Sequence, residues 1–212
     1  MAKFLKMDIK IKENLRVIER RISKAMTKEF NNRIQNGLEK ISRDIKTLVK
    51  ELITNSSEIQ SLKGGVLKGD FGIPAGEDPT AAIIGAIAES VDVVHTMVTS
   101  GGKSFTGGIT INIQPTHFSN LTSLPGVKVL TKKGTVLPWL EWLLTLGDKI
   151  IITEHHVEYK KGAGRSGIAS MATGGTFRVN PSFSGTVENN FISRAFQGSE
   201  NRIASIIKRH IG

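Results

Sequence analysis

The stretch Asn14–Ile53, NLRVIERRISKAMTKEFNNRIQNGLEKISRDIKTLVKELI, decides the fold. Leu15, Ile18, Ile22, Met26, Phe30, Ile34, Leu38, Ile41, Ile45, Leu48 and Leu52 recur every three or four positions. Lys, Arg, Glu, Asn and Gln fill the gaps. That spacing lays one apolar stripe along an α-helix. A continuous helix from about Lys10 to Ile53 would reach roughly 65 Å at 1.5 Å per residue. Asn31-Asn32 and Asn36-Gly37 are candidate break points. A stripe this long needs a partner, and the chain's own body and a neighbouring subunit are expected to share it.

Charge separates this stretch from the rest. The 212-residue chain carries a formal net charge of +10. Residues 1–50 hold +8 of it, residues 51–186 are neutral, and residues 187–212 hold +2. A basic segment beside a neutral body points to a polyanion or an acidic protein neighbour. The basic helix face is assigned to Arg16, Arg20, Lys24, Lys28 and Lys46. The expected organisation is a long basic helical segment over 1–55 and an α+β body with a C-terminal helix over 56–212. An apolar fraction of 39% supports a core. Cysteine is absent, which excludes disulfides, thiolate metal sites and cysteine nucleophiles. The longest apolar runs fall short of the roughly 18–20 residues that cross a membrane, and the N-terminus lacks a secretory pattern.

Downstream, Thr54–Ser57 favours caps and turns. Leu67–Ile73 reads as a short strand or an extended loop. Pro79 opens a second helix, with Ala82, Ile83, Ala86, Ile87, Ser90, Val91 and Val94 on helical spacing. Gly108–Gln114 alternates, with Ile109, Ile111 and Ile113 on one face, and Gly126–Thr131 is a weaker strand. LPWLEWLLTLG is a short central helix placing Trp139 and Trp142 on one apolar face. Lys149–Tyr159 is the strongest strand and Thr176–Val179 another. A C-terminal helix starts near Glu188, with an interruption near Gly198. The order predicts an α+β fold with a mostly antiparallel sheet.

Gly162–Gly167, GAGRSG, spells a dinucleotide-binding fingerprint after a strand. Such a turn works only when a helix opens at its third glycine and aims N–H groups at the pyrophosphate. Here IASMATGG leads quickly to another strand. No acidic residue follows at the ribose-binding distance. The favoured reading is a basic inter-strand loop over 159–175, projecting Lys160, Lys161 and Arg165. Its five glycines make it costly to order alone, so ordering against a neighbour is expected. Glu154, His156 and Glu158 would share one strand face, opposite His155. That row is too weak to assign a metal. No catalytic constellation, cofactor motif or phosphate loop is found, and a non-enzymatic role is expected.

Three segments resemble a known family. Gly64-Gly-Val-Leu-Lys-Gly-Asp-Phe-Gly-Ile73 follows a long basic helix, and Asn190-Phe-Ile-Ser-Arg-Ala-Phe196 leads into a C-terminal helix. With the long helix itself, these resemble the head–tail joining proteins of tailed bacteriophages, the neck or tail-completion group that includes the minor tail protein Z type. LPWLEWLLTLGDKIIITEHHVEY and TFRVNPSFSGTVENNFISRAF are similar to uncharacterised virion proteins of large contractile-tailed phages. The family pattern commonly has proline where this chain has Asn189 or Asn190, and again at Ser193. Residues 100–133 have no obvious counterpart. The resemblance implies a virion protein forming a homo-oligomeric ring, a hexamer by expectation. Its neighbours would be head-connector and tail proteins, with non-specific contact to packaged DNA. A tail terminator and a basic nucleic-acid-binding protein are the alternatives.

Overall fold

A computed structural model describes residues 14–212 except 102, 103, 116 and 132. The long helix α1 runs from Leu15 to Thr54 without a break, about 60 Å at 1.5 Å per residue. The Asn14 side chain accepts from the Arg16 N–H and starts it. Neither candidate break point interrupts it. Gly37 serves instead as a contact. A Cβ there would stand 3.0 Å from the His210 carbonyl oxygen, so the missing side chain lets the C-terminal helix cross closely.

Three short helices follow: α2 (Ser57–Gly64), α3 (Val66–Asp70) and α4 (Thr80–Glu89). The Ser56 hydroxyl accepts from the Ile59 N–H and caps α2. Helix α3 corrects the strand or loop expected over Leu67–Ile73. A Cβ at its Gly69 would lie 3.1–3.3 Å from Ala169, Tyr159 and Ile168, so this glycine reflects close packing, while Gly72 takes φ +61° just after the helix. Helix α4 ends at Glu89, and Val91 and Val94 lie beyond it, in a segment expected to continue the helix.

Strand β1 (Asp92–Ser100) pairs antiparallel with β2 (Phe105–Asn112), from Asp92↔Asn112 to Ser100↔Phe105. After α5 (Ser119–Thr122) come the two-residue strands β3 (Val129–Leu130) and β4 (Val136–Leu137), then α6 (Trp139–Thr145). Strand β5 (Ile152–Tyr159) pairs antiparallel with β6 (Ala169–Phe177). The chain ends in α7 (Phe191–Ala195) and α8 (Glu200–Ile211), so the expected C-terminal helix is two helices parted at Gly198. The fold is α+β with every ladder antiparallel. Among the described residues the strands form three separate two-stranded ladders.

One core holds the body together. Ile41, Ile45, Leu48, Val49 and Ile53 of α1 pack with Ile59, Leu62, Leu67, Ile83, Ile87, Trp139, Leu143 and Phe191. It therefore crosses the expected boundary at residue 55. Trp139 is fully buried, stacks on Phe71 with ring centroids 5.3 Å apart, and donates its indole N–H to the Gly126 carbonyl. The Arg194 guanidinium reaches buried Glu58 at 2.6 Å and also donates to the Phe183 and Ser184 carbonyls. This pairing satisfies a carboxylate that burial would otherwise penalise. Asn190 and Ser193 cap α7 reciprocally. Hydrogen bonding thus sets the helix start.

Candidate functional site: a basic arm and a basic hairpin tip

The first half of α1 leaves the body. Its stripe residues Leu15, Ile22, Met26 and Phe30 are 71%, 54%, 43% and 43% exposed, whereas Ile41 and Ile45 are buried. The β1–β2 hairpin lies along this half and travels with it. The Asn31 side chain accepts from the Val98 N–H at 2.8 Å and donates to the Val98 carbonyl at 3.0 Å. One amide thus satisfies both backbone groups of a strand edge, as a neighbouring strand would. His95 Nε2 lies 3.0 Å from Asn31 Oδ1, Ser23 pairs with Ser100, and Phe30 meets Phe105 edge-on. Helix and hairpin make a two-layer arm with a cleft of about 1000 Å³ between them, lined by Arg16, Arg20, Ile22, Met26, Val98 and Phe105.

Arg16, Arg20, Lys24 and Lys28 are exposed on the arm, and among the described residues no carboxylate lies within 4.0 Å of any of them. Arg33 differs, being paired with Glu29 at 2.7 Å. Lys46 differs too. It sits in the body half of α1 and binds Glu89 at 2.9 Å, which holds the Glu89 carboxyl below its ordinary range. Its charge ties α1 to α4, so the structure separates Lys46 from the four arm cations.

The hairpin tip lies elsewhere, at the turn joining β5 to β6. Lys160, Lys161 and Arg165 are all exposed there. The loop is shorter than expected, because IASMATGG belongs to β6 from Ala169 onward. It is also closed by its own bonds. Lys160 N–H donates to Ile168, Gly162 N–H to Gly167, and the buried Ser166 hydroxyl accepts from Ala169 N–H. The Ala75 N–H donates to the Arg165 carbonyl and ties the loop to the body. Gly164 has φ +64° and a Cβ would meet the Ala169 carbonyl, so the fingerprint glycines serve the turn. A strand, β6 from Ala169, follows the third glycine. At the base of the hairpin, the Tyr159 hydroxyl donates to Asp70. Burial raises the Asp70 pKa and the hydrogen bond opposes it; burial, then Asp70 itself, raises that of Tyr159.

The expected Glu154–His156–Glu158 row is broken. The ladder shifts register between Thr153 and His155, and Glu154 takes φ +62°. His156 instead bonds the Gly174 carbonyl at 2.7 Å and approaches Glu158 at 3.3 Å. Among the described residues, no three His, Asp or Glu side chains are placed to hold a metal. No described helix is long and apolar enough to cross a membrane.

A third surface carries no sequence motif. It is a groove of about 470 Å³ between the end of β2 and α7, lined by Ile111, Ile113, Phe118, Val187, Ile192 and Phe196. Its traces in the sequence are Ile111 and Ile113 of the alternating stretch and Ile192 and Phe196 of Asn190–Phe196. Comparison with protein-family models, with curated proteins and with solved structures found no match.

Proposed function

We propose that this chain is a structural virion protein of a tailed bacteriophage, a subunit of a neck ring that joins the head connector to the tail. The observation that carries the reading is the arm: half of a 40-residue helix stands off the main core with only the β1–β2 hairpin beside it and its apolar stripe partly exposed. A ring subunit needs such a surface, because a head-to-tail contact closes when the rotation between copies closes. The resemblance of the long helix, Gly64–Ile73 and Asn190–Phe196 to neck proteins supports that reading. A hexamer in the virion neck is the proposed form, and a tail terminator capping the tail tube is the nearest variant. The role needs no reaction and no cofactor. Cations turned toward a lumen would meet DNA phosphates without reading sequence. The test is to purify virions, identify the chain in them, and locate it by electron microscopy. A ring at the head–tail junction is expected; absence from purified particles overturns the reading.

A second reading, a nucleic-acid-binding protein without sequence preference, rests on the unpaired Arg16, Arg20, Lys24 and Lys28. It requires DNA affinity that falls linearly on a logarithmic salt scale. Alanine at these four positions should then reduce the slope. An unchanged slope discards it.

A further inference from the structure

We propose that the arm of one copy docks into the β2–α7 groove of the next. This inference rests on the ring reading and names the contact that would build it.

The two surfaces complement one another. The arm offers Leu15, Ile22 and Met26 beside Arg16, Arg20 and Lys24. The groove sets its apolar side chains among Asn112, Gln114, Asn190 and Ser193, and has no lining cation. Arg194, next to it in sequence, is held by Glu58. The charge at its edge is acidic: Glu188 follows the exposed Val187 and has no ion-pair partner among the described residues. Apolar contact would supply attraction, and the opposed charges would set orientation and reject arm-to-arm pairing, which brings cations together.

The same chain cannot satisfy itself. The groove sits at the base of the β1–β2 hairpin, where Asp92 pairs with Asn112, and Phe105 of the arm sits at the other end. Seven residues of strand separate the two ends, roughly 23 Å at about 3.3 Å per residue. Helix α1 is unbroken and Asn31 fastens the hairpin to it, so the arm cannot fold back. Each copy therefore presents one donor and one acceptor at different places. Such a contact is heterologous and propagates until it closes.

The test uses full-length protein and sedimentation velocity over a dilution series. Ile22→Glu with Met26→Glu removes the arm's apolar face and keeps good helix formers. Val187→Lys with Glu188→Lys alters the groove. All four positions are exposed, and circular dichroism and the melting temperature check that the fold survives. The wild type should assemble beyond a dimer, and each variant alone should be monomeric. An equimolar mixture should stop at a dimer, because one intact arm then meets one intact groove. Arg20→Glu with Lys24→Glu should lose assembly, and mixing it with Glu188→Lys protein should restore assembly beyond a dimer, because the acidic arm then meets a basic groove and the intact arm meets the intact groove in alternation. A wild type monomeric at its highest soluble concentration overturns the proposal, as does a groove variant that assembles normally. If both apolar variants still form rings, docking fails while the ring reading stands. Absence of the chain from virions would sink the ring reading alone. A monomeric wild type whose arm variant loses DNA affinity would assign the arm to nucleic acid instead.

Discussion

The two halves of α1 share one periodicity and meet different fates. Residues 34–53 place Ile34, Ile41, Ile45, Leu48, Val49 and Ile53 in buried positions. Residues 15–30 place Leu15, Ile22, Met26 and Phe30 in view of solvent. Hydrophobic spacing names the face of a helix that wants cover and is silent about what covers it. Helices α2, α4, α7 and α8 press against the second half, while the first has one hairpin beside it that covers its stripe only in part.

Breaking the covered half should cost most. Ile45→Ala removes a buried side chain from the shared core and should destabilise by about 2–5 kcal/mol in denaturant titration. Gly37→Val comes next. It drives a branched side chain into the α8 crossing, where even a Cβ would lie 3.0 Å from the His210 carbonyl. Overpacking of this kind costs about 1–3 kcal/mol, read as a lowered melting temperature. Asn31→Ala probes the arm alone. Each lost bond to Val98 is worth about 0.5–1.5 kcal/mol, so amide exchange should speed up along β1–β2 while the body stays protected.

The pH response should be smaller, and the α1–α8 seam contributes to it alongside the Lys46–Glu89 pair. Hydrogen bonding to His210, then charge from His210, Arg43 and Arg209, lowers the Asp44 pKa against some desolvation. A lowered folded-state pKa contributes stability that is present above the ordinary carboxylate range and lost as pH falls through the lowered value. Melting temperature should therefore fall on acidification below about pH 4, and Asp44→Asn should flatten that dependence. Ile22→Ala should have the smallest effect, within about 0.5 kcal/mol for a surface site. A large loss there would show that the arm's stripe is already covered in the free protein.

Much of this contrast could be read from the chain. The long stripe, its basic companions, the Ile109–Ile113 alternation and the two tryptophans all mapped onto the structure. The failures have particular causes. Val91 and Val94 satisfy helical spacing, yet β-branched residues in DVVHTMV equally suit β1, and periodicity alone does not choose. Gly65 and Gly69 masked α3, because a glycine that admits a close neighbour looks the same as one that breaks a helix. IASMATGG looked like loop because small residues hide the pairing of β6. The β2–α7 groove needed residues from positions 111 to 196 brought together, which no local pattern records. The separation of Lys46 from the arm cations was invisible for the same reason, since Glu89 is 43 residues away.

The unbroken passage of α1 through the crossing at Gly37 makes the helix a lever. The pivot lies where α8 bears on it, and Leu15 stands 22 residues out, about 33 Å at 1.5 Å per residue. A tilt of about 10° at the pivot would sweep the arm's end through roughly 6 Å by that length. The short side of the lever is embedded among Ile41, Ile45 and Leu48. A pull on the arm therefore arrives in the close-packed interior as torque, and the stiffness of that interior sets how far the arm can swing.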